Sequence, residues 1–316
     1  MSTLPVLTIT PNPAIDQTIA LAELQPGRVN VAEGVTVNVG GKGVNVASCL
    51  ADWGTPVAAT GLLGQDNASM FESLLAQKGI ADRFVRLPGS TRINIKLVTA
   101  NDHDTTDINL PGFAVPTSAQ EALLDVVGQV QPGQIVVAAG SLPPDLRAQG
   151  YLPLMQRLHA HGARIALDTS GSPLEQVLAQ DRYLPMLVKP NRHELATWVG
   201  RELPSLNDVK TAAEMLRARG VETVVVSLGG DGALLSHSSG CWFAPSIPVQ
   251  PISTVGAGDA MVAGLVAAWH AGQDWAQALR LGVAFATAKL HHLGPHLPDL
   301  ALVRQLSQQV DLQFLA

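Results

Sequence analysis

Charge and cysteine are both scarce in this chain. Only 15% of its 316 residues are charged, and it holds two cysteines, Cys49 and Cys241. Two thiols cannot build a disulfide framework, so a packed core must hold the fold, and a reducing compartment is expected. A basic excess is missing as well, the formal net charge being −6. Nucleic-acid and membrane-surface partners would each need a basic stripe, so both are set aside. An anionic small substrate is not, because a few well-placed cations suffice for it. No run is long and apolar enough to span a bilayer. Val255–Gly272 comes nearest, and it is interrupted by Asp259, His270 and three glycines before Leu265. Met1–Thr10 lacks a basic leader and a cleavage site, and Pro5 and Pro11 would break a signal helix. The expected setting is the cytoplasm.

What the chain does have is hydrophobic residues at 47%, with 29 glycines and 21 prolines, the composition of a tightly turned and deeply buried enzyme fold. Val6–Thr10 reads as a buried first strand, and Val29–Val31 and Val35–Val39 as short β pieces. Val44–Trp53 reads as a helix stopped by Gly54, and Asn67 as the cap of a helix running to Lys78. Thr91–Thr99 alternates polar and apolar residues, and Thr105–Leu110 follows a turn at Asn101–Asp104, which together predict a hairpin. From Ser118 the rhythm becomes helix, strand, helix, strand, with strands at Ile135–Ala139, Arg164–Asp168, Met186–Lys189 and Thr223–Leu228. Helices close the chain at Ala257–Ala271, Asp274–His291 and Pro298–Val310. This alternation predicts an α/β core, a mostly parallel sheet wrapped by helices on both faces. A small β lid, built from about 12–38 and 90–112, is expected on a single domain spanning 1–316.

Four segments carry polar groups with chemical potential. In Ser253–Gly264, small residues lead into a helix with an acid in its first turn. The N–H groups of Gly256, Ala257 and Gly258 would point along the helix axis and cradle the charge on a transferring phosphoryl group. Asp259, kept ionised by the same dipole, could take a proton from an attacking hydroxyl; the plainer reading is a helix acid completing a cap. Gly40–Gly43 is not a Walker A loop, since Thr36 stands where its first glycine belongs and Gly43 where Ser or Thr should follow Lys42. It either admits a ligand close to the backbone, with Lys42 and Asn45 adding polar contacts, or is a tight turn. Lys189, Asn191 and Glu194 follow an apolar strand, where parallel sheets line their ligand crevices. Asn191 and Glu194 could organise a hydrated Mg²⁺, form a capping box, or both. Ser227, Gly229 and Gly232 end a strand in a turn that a nucleotide could approach and that hairpin geometry would also explain.

Taken in order, these segments resemble the ribokinase-like sugar kinases, the phosphofructokinase B family, over nearly the whole chain. Gly40–Asn45 is similar to that family's N-terminal signature, Thr254–Asp259 to its C-terminal one, and Asn191 with Glu194 to its Asn-x-x-Glu element. The resemblance implies a three-layer α/β sandwich with a β lid. It also implies phosphoryl transfer from ATP, with Mg²⁺, through Asp259 as base and Gly256, Ala257 and Gly258 as amide donors. Lys189, Asn191, Ser227, Gly229, Gly232, Gly256 and Gly258 would meet the nucleotide, and Glu194 would reach Mg²⁺ through water. Asn12–Asp16, Thr91–Lys96 and Gly140–Pro144 resemble the phosphosugar branch, above all the 1-phosphofructokinase group. That likeness puts Asp16, Gly41 and Asn45 on the sugar hydroxyls and Arg28, Lys42, Arg92 and Ser141 on the substrate's own phosphate. Ser253 departs from the acid that many kinases of unphosphorylated sugars carry there, which bears on the monovalent-cation site of those relatives. A homodimer is expected, because lids of relatives often pair.

The expected reaction converts fructose 1-phosphate to fructose 1,6-bisphosphate, with tagatose 6-phosphate and fructose 6-phosphate as alternative substrates. A non-catalytic sensor of sugar phosphate or nucleotide is the rival of another class. His291, His292 and His296, and His159 with His161, read as solvated histidines and not as metal ligands. Trp269 and Trp275 read as packing anchors and Cys49 as a small buried hydrophobe.

Overall fold

The structure is a computed structural model that describes residues 4–99, 105–250, 253–291 and 294–315. The chain begins in β1 (Val6–Thr10), buried at every position. It leaves the core for β2 (Ala14–Leu21) and β3 (Gly34–Gly40), then returns through α1 (Lys42–Trp53) to β4 (Val57–Gly64). After α2 (Ser69–Gln77) and the short β5 (Ala81–Asp82) and β6 (Val85–Leu87), it leaves again as β7 (Ile93–Thr99) and β8 (Thr105–Ile108). A regular helix–strand alternation follows: α3 (Thr117–Val127), β9 (Ile135–Ala139), α4 (Leu152–Ala160), β10 (Arg164–Asp168), α5 (Ser172–Leu178) and β11 (Leu187–Val188). Next come α6 (Arg192–Val199), α7 (Leu206–Ala218), β12 (Thr223–Ser227), β13 (Ala233–His237) and β14 (Gly240–Ala244). The last elements are α8 (Ala257–His270), α9 (Trp275–Lys289), α10 (Leu300–Gln309) and β15 (Gln313–Phe314).

The main sheet runs β15-β14-β13-β12-β11-β10-β9-β1-β4-β5, with β6 also on β4. From β5 to β12 all pairings are parallel, and β13, β14 and β15 add an antiparallel edge. The pleat sorts each strand between two cores. Ile135, Val137 and Ala139 face the side packed by α1, α2, α8, α9 and α10. Val136 and Ala138 face the side packed by α3 to α7. The result is the expected three-layer α/β sandwich. α8 is apolar nearly all round because it lies between the sheet and α9. Gly264 makes that possible, since a Cβ there would stand 2.8 Å from Gly282 Cα. Among the described residues no helix is long and apolar enough to cross a membrane.

A second sheet, β3-β2-β7-β8, stands apart from the first. Its register puts Asp16 beside Asn38 and Asn94, and Lys96 beside Asp107, on one face. The opposite face carries Val35, Val37, Ile19, Ile93, Ile95, Leu97 and Ile108, and several of these are exposed. The expected hairpin is β7 with β8, while its turn at Asn101–Asp104 lies outside the described residues, as does His292.

Three expectations need correction. Val29–Val31 forms no strand; those valines find no partner strand and are 93% and 82% exposed. Asn67 does not cap α2, which begins after Ala68. Its amide instead pairs like a peptide with Thr91, accepting from the N–H at 2.8 Å and donating to the carbonyl at 2.9 Å. The strand read at Met186–Lys189 is trimmed to Leu187–Val188, where both neighbours offer a ladder.

Candidate active site

The carboxyl ends of the parallel strands and the starts of α1, α6 and α8 converge on one crevice. The Gly40–Gly43 turn opens α1, and the space its side chains would take is already occupied. A Cβ on Gly40 would collide with the Asp16 carboxylate, and one on Gly43 with the Thr10 hydroxyl. Close approach is thus what the glycines are for. Asp16 is held by Asn94, whose Nδ2 donates at 3.0 Å. Burial pushes the Asp16 carboxyl upward, against the pull of Asn94, Lys96 and Arg92.

At the centre is Asp168, at the end of β10. Its two oxygens receive Lys42 Nζ at 3.1 Å and Lys189 Nζ at 3.3 Å. Burial alone would raise its pKa, but the two ammoniums outweigh that and hold it below the usual carboxylate range. Burial likewise opposes the charge on Lys42, and Asp168 and Asp259 more than restore it. Lys189 also reaches the start of α8, where a Cβ on Gly258 would lie 3.5 Å from Nζ.

Asp259 stands in the first turn of α8 and is buried. Asn45 Nδ2 donates to its Oδ2 at 2.7 Å. The start of the helix favours its charged form. Burial is the largest influence and raises the pKa to about 6, against Lys42, Asn45 and Lys189. Gly256 precedes the helix at φ +78°, and its N–H and that of Gly258 have no partner among the described residues. The Ala257 N–H turns back to the Thr254 carbonyl at 3.4 Å, a weaker commitment than a full helical bond.

Toward the small sheet, Arg92 is anchored by backbone. It donates to the carbonyls of Pro13 at 3.2 Å, Leu110 at 2.7 Å and Asn12 at 3.0 Å, and to Ser141 Oγ at 3.3 Å. Asn12 Nδ2 meets the same hydroxyl at 3.2 Å. Burial lowers the Arg92 pKa. Lys42 makes no hydrogen bond to this group among the described residues; its ammonium meets Asp168 at 3.1 Å. Nor does Arg28, which is exposed on the β2–β3 loop with its backbone N–H on Gln25. That loop has no apolar anchor to fold it over the crevice.

At the other end, Asn191 and Glu194 form a capping box at α6, each side chain accepting from the other's N–H at 2.8 Å. Glu194 Oε2 is used there, and no hydrogen bond engages its other oxygen among the described residues. One carboxylate with an open oxygen suits a Mg²⁺ ion that keeps most of its waters. Ser227 bridges to Asn191, its N–H on the Pro190 carbonyl at 3.0 Å. Gly229, at φ +62°, has open space around it. Gly232 has none on its Cβ side, where an added carbon would strike the Ala244 carbonyl.

Sequence reasoning missed Asp168, Asn12 and Asn94 as members of the site. The strand-end rule that selected Lys189 applies equally to Asp168. Cys49 and the two tryptophans behave as expected. Cys49 is buried with its thiol pushed up to about 12, and Trp269 packs on Trp275 with ring centroids 5.5 Å apart.

Comparison with known proteins finds relatives over nearly the whole chain. The chain is 46% identical over 290 residues to the 1-phosphofructokinase of Xanthomonas campestris pv. campestris, covering 91% of each. It is 41% identical over 317 residues to that of Rhodobacter capsulatus, covering 99% of each. The crystal structure of Escherichia coli phosphofructokinase-2 in complex with substrates and products superposes with a TM-score of 0.90 at 29% identity, over 97% of this chain and 99% of that one. Residues 9–300 match the pfkB family carbohydrate kinase description, and the chain belongs to that family of kinases.

Proposed function

We propose that the protein transfers the γ-phosphoryl group of ATP to a ketohexose phosphate, converting fructose 1-phosphate to fructose 1,6-bisphosphate. The observation that carries the reading is a buried carboxylate at the start of α8, held by one neutral amide, in the same crevice as two lysines gathered by Asp168. Asp259, with a pKa of about 6, is ionised at neutral pH yet basic enough to accept the proton of the attacking hydroxyl. The Gly256 and Gly258 amides and the Lys42 and Lys189 ammoniums would receive the transferring oxygens as charge builds on them. Asn191, Ser227 and Gly229 would meet the nucleotide. Glu194 would hold a hydrated Mg²⁺, which when bound neutralises charge on the nucleotide phosphates.

Asp16, Gly41 and Asn45 would bind the sugar hydroxyls. Arg92 and Ser141, with the Asn12 amide, would hold the phosphate the sugar already carries. That group brings about −1.5 to −2 charges and needs charge-assisted donors. The small sheet, about 12–38 and 90–112 of a single domain, would act as a lid that keeps water from the γ-phosphate. Its outward β-branched face is a surface for a second copy of the chain in a homodimer, and light scattering that finds only monomer would refute that part.

The deciding experiment is ADP release with ATP, Mg²⁺ and, in parallel, fructose 1-phosphate, tagatose 6-phosphate and fructose 6-phosphate. Fructose 1-phosphate should give the highest kcat/KM. A higher value for either other sugar reassigns the substrate, and no release with any of them favours a sensor. Against the sensor stands Asp259 itself, since a binding module has no use for a carboxylate poised to take a proton.

A further inference from the structure

The last residue of α9 is a lysine only 3% exposed, and no step described above uses it. Lysines in a last helical turn ordinarily reach for water. Lys289 instead lies against the anion-binding turn, where a Cβ on Gly256 would stand 3.4 Å from its Cε. The turn rests on the same helix end, the Ser253 N–H donating to the Leu290 carbonyl at 3.3 Å. Asn45 brackets the turn from another side. Its Nδ2 is 4.0 Å from the same Cβ position while it donates to Asp259. Burial lowers the pKa of Lys289, and Cys49 and Asp259 pull it back up. With the Cys49 thiol neutral, Asp259 is a charged group in that field.

Burying an ammonium is costly unless its interactions repay it. The negative end of the α9 dipole offsets part of that cost. From this placement we propose that Lys289 is a positioning residue for phosphoryl transfer. It is a buried cation that fixes the Gly256 turn and adds positive potential behind the amides facing the transferring phosphoryl group. The proposal deepens the kinase reading and rests on it. A purely structural helix-end lysine would stabilise the fold and leave kcat alone. A positioning lysine lowers kcat when it is removed.

The test compares full-length wild type with Lys289→Met and Lys289→Gln. Thermal melting, kcat, both KM values and ATP and ADP affinities are measured, with methylammonium chloride or sodium chloride added at equal strength. Expected is a kcat for Lys289→Met reduced about 100-fold at temperatures where the variant stays folded. Both KM values should change little, and methylammonium but not sodium should restore part of the rate. An unchanged kcat in both variants overturns the proposal, as does a kcat that falls together with Tm and ignores methylammonium. If wild type turns over none of the three sugars, the kinase reading is what fails. The ATP-to-ADP affinity ratio then decides: a drop of about tenfold in Lys289→Met supports the role at the terminal phosphate, and no change overturns it.

Discussion

The end of β10 and the start of α8 each bury one carboxylate in the same crevice, and the two are ionised on opposite terms. Asp168 is gripped by two ammoniums, which hold its pKa low despite full burial. Asp259 receives one neutral amide, from Asn45, and burial wins, raising it to about 6. Environments that push neighbouring carboxyls apart in this way separate the structural acid from the catalytic base. Asp168 cannot take a proton near neutrality, so its work is to gather Lys42 and Lys189. Asp259 can, which is what its proposed role as base requires.

The largest effect expected is from Asp259→Asn. It should lower turnover by about 10²–10⁴-fold while ATP binding persists. Near-normal turnover would remove Asp259 as base and erase the contrast with Asp168. In the wild type, kcat/KM should fall about tenfold per pH unit below pH 6, as the base becomes protonated. Stability should move the other way. A raised folded pKa favours the fold below the unfolded value, near 3.8, and that advantage is lost as pH rises through about 6. Asp259→Asn should therefore raise Tm at pH 8, and the gain should shrink toward pH 4.

Asp168→Ala sharpens the other half. It leaves the buried Lys189 ammonium and the partly exposed Lys42 ammonium without their shared counter-ion. Breaking a buried pair costs about 3–5 kcal/mol, and the low end applies because the Lys42 side chain is 37% exposed. A depressed carboxyl pKa contributes stability above the unfolded value and loses it as pH falls through the folded one. Urea unfolding should accordingly show a large deficit at pH 7 that narrows below pH 4. A variant as stable as wild type at pH 7 would mean that the lysines do not depend on Asp168.

How much of this was legible in the sequence follows the same division. β1, β9 and β12 announce themselves because strands buried on both faces are continuous apolar runs. The Gly256–Asp259 turn and the Asn191–Glu194 box are local, so their spacing alone gives their geometry. Asp168 is not local. Lys42 lies 126 residues away in the chain, and nothing near Asp168 signals that two lysines will meet there. Lys289 is hidden for a related reason, as a basic residue in a last helical turn reads as an ordinary dipole partner. Arg28 is hard to place for the opposite reason. It has the right chemistry, but its loop contributes no side chain to either core, so no packing carries it to the crevice.

The smallest effect expected bears on the division between the sugar end and the transfer end. Arg92 spends donors on the Pro13, Leu110 and Asn12 carbonyls, which lock its guanidinium beside Ser141. A guanidinium fixed in this way is preorganised for a phosphate and loses little freedom on binding it. Arg92→Ala should thus raise the KM for the phosphosugar by about tenfold or more, the scale of one charge-assisted hydrogen bond, with little change in the KM for ATP. Lysine at this position should recover only part of the loss, because one ammonium cannot hold three carbonyls and a phosphate together. Equal changes in both KM values would mean that Arg92 shapes the crevice as a whole and belongs to neither end.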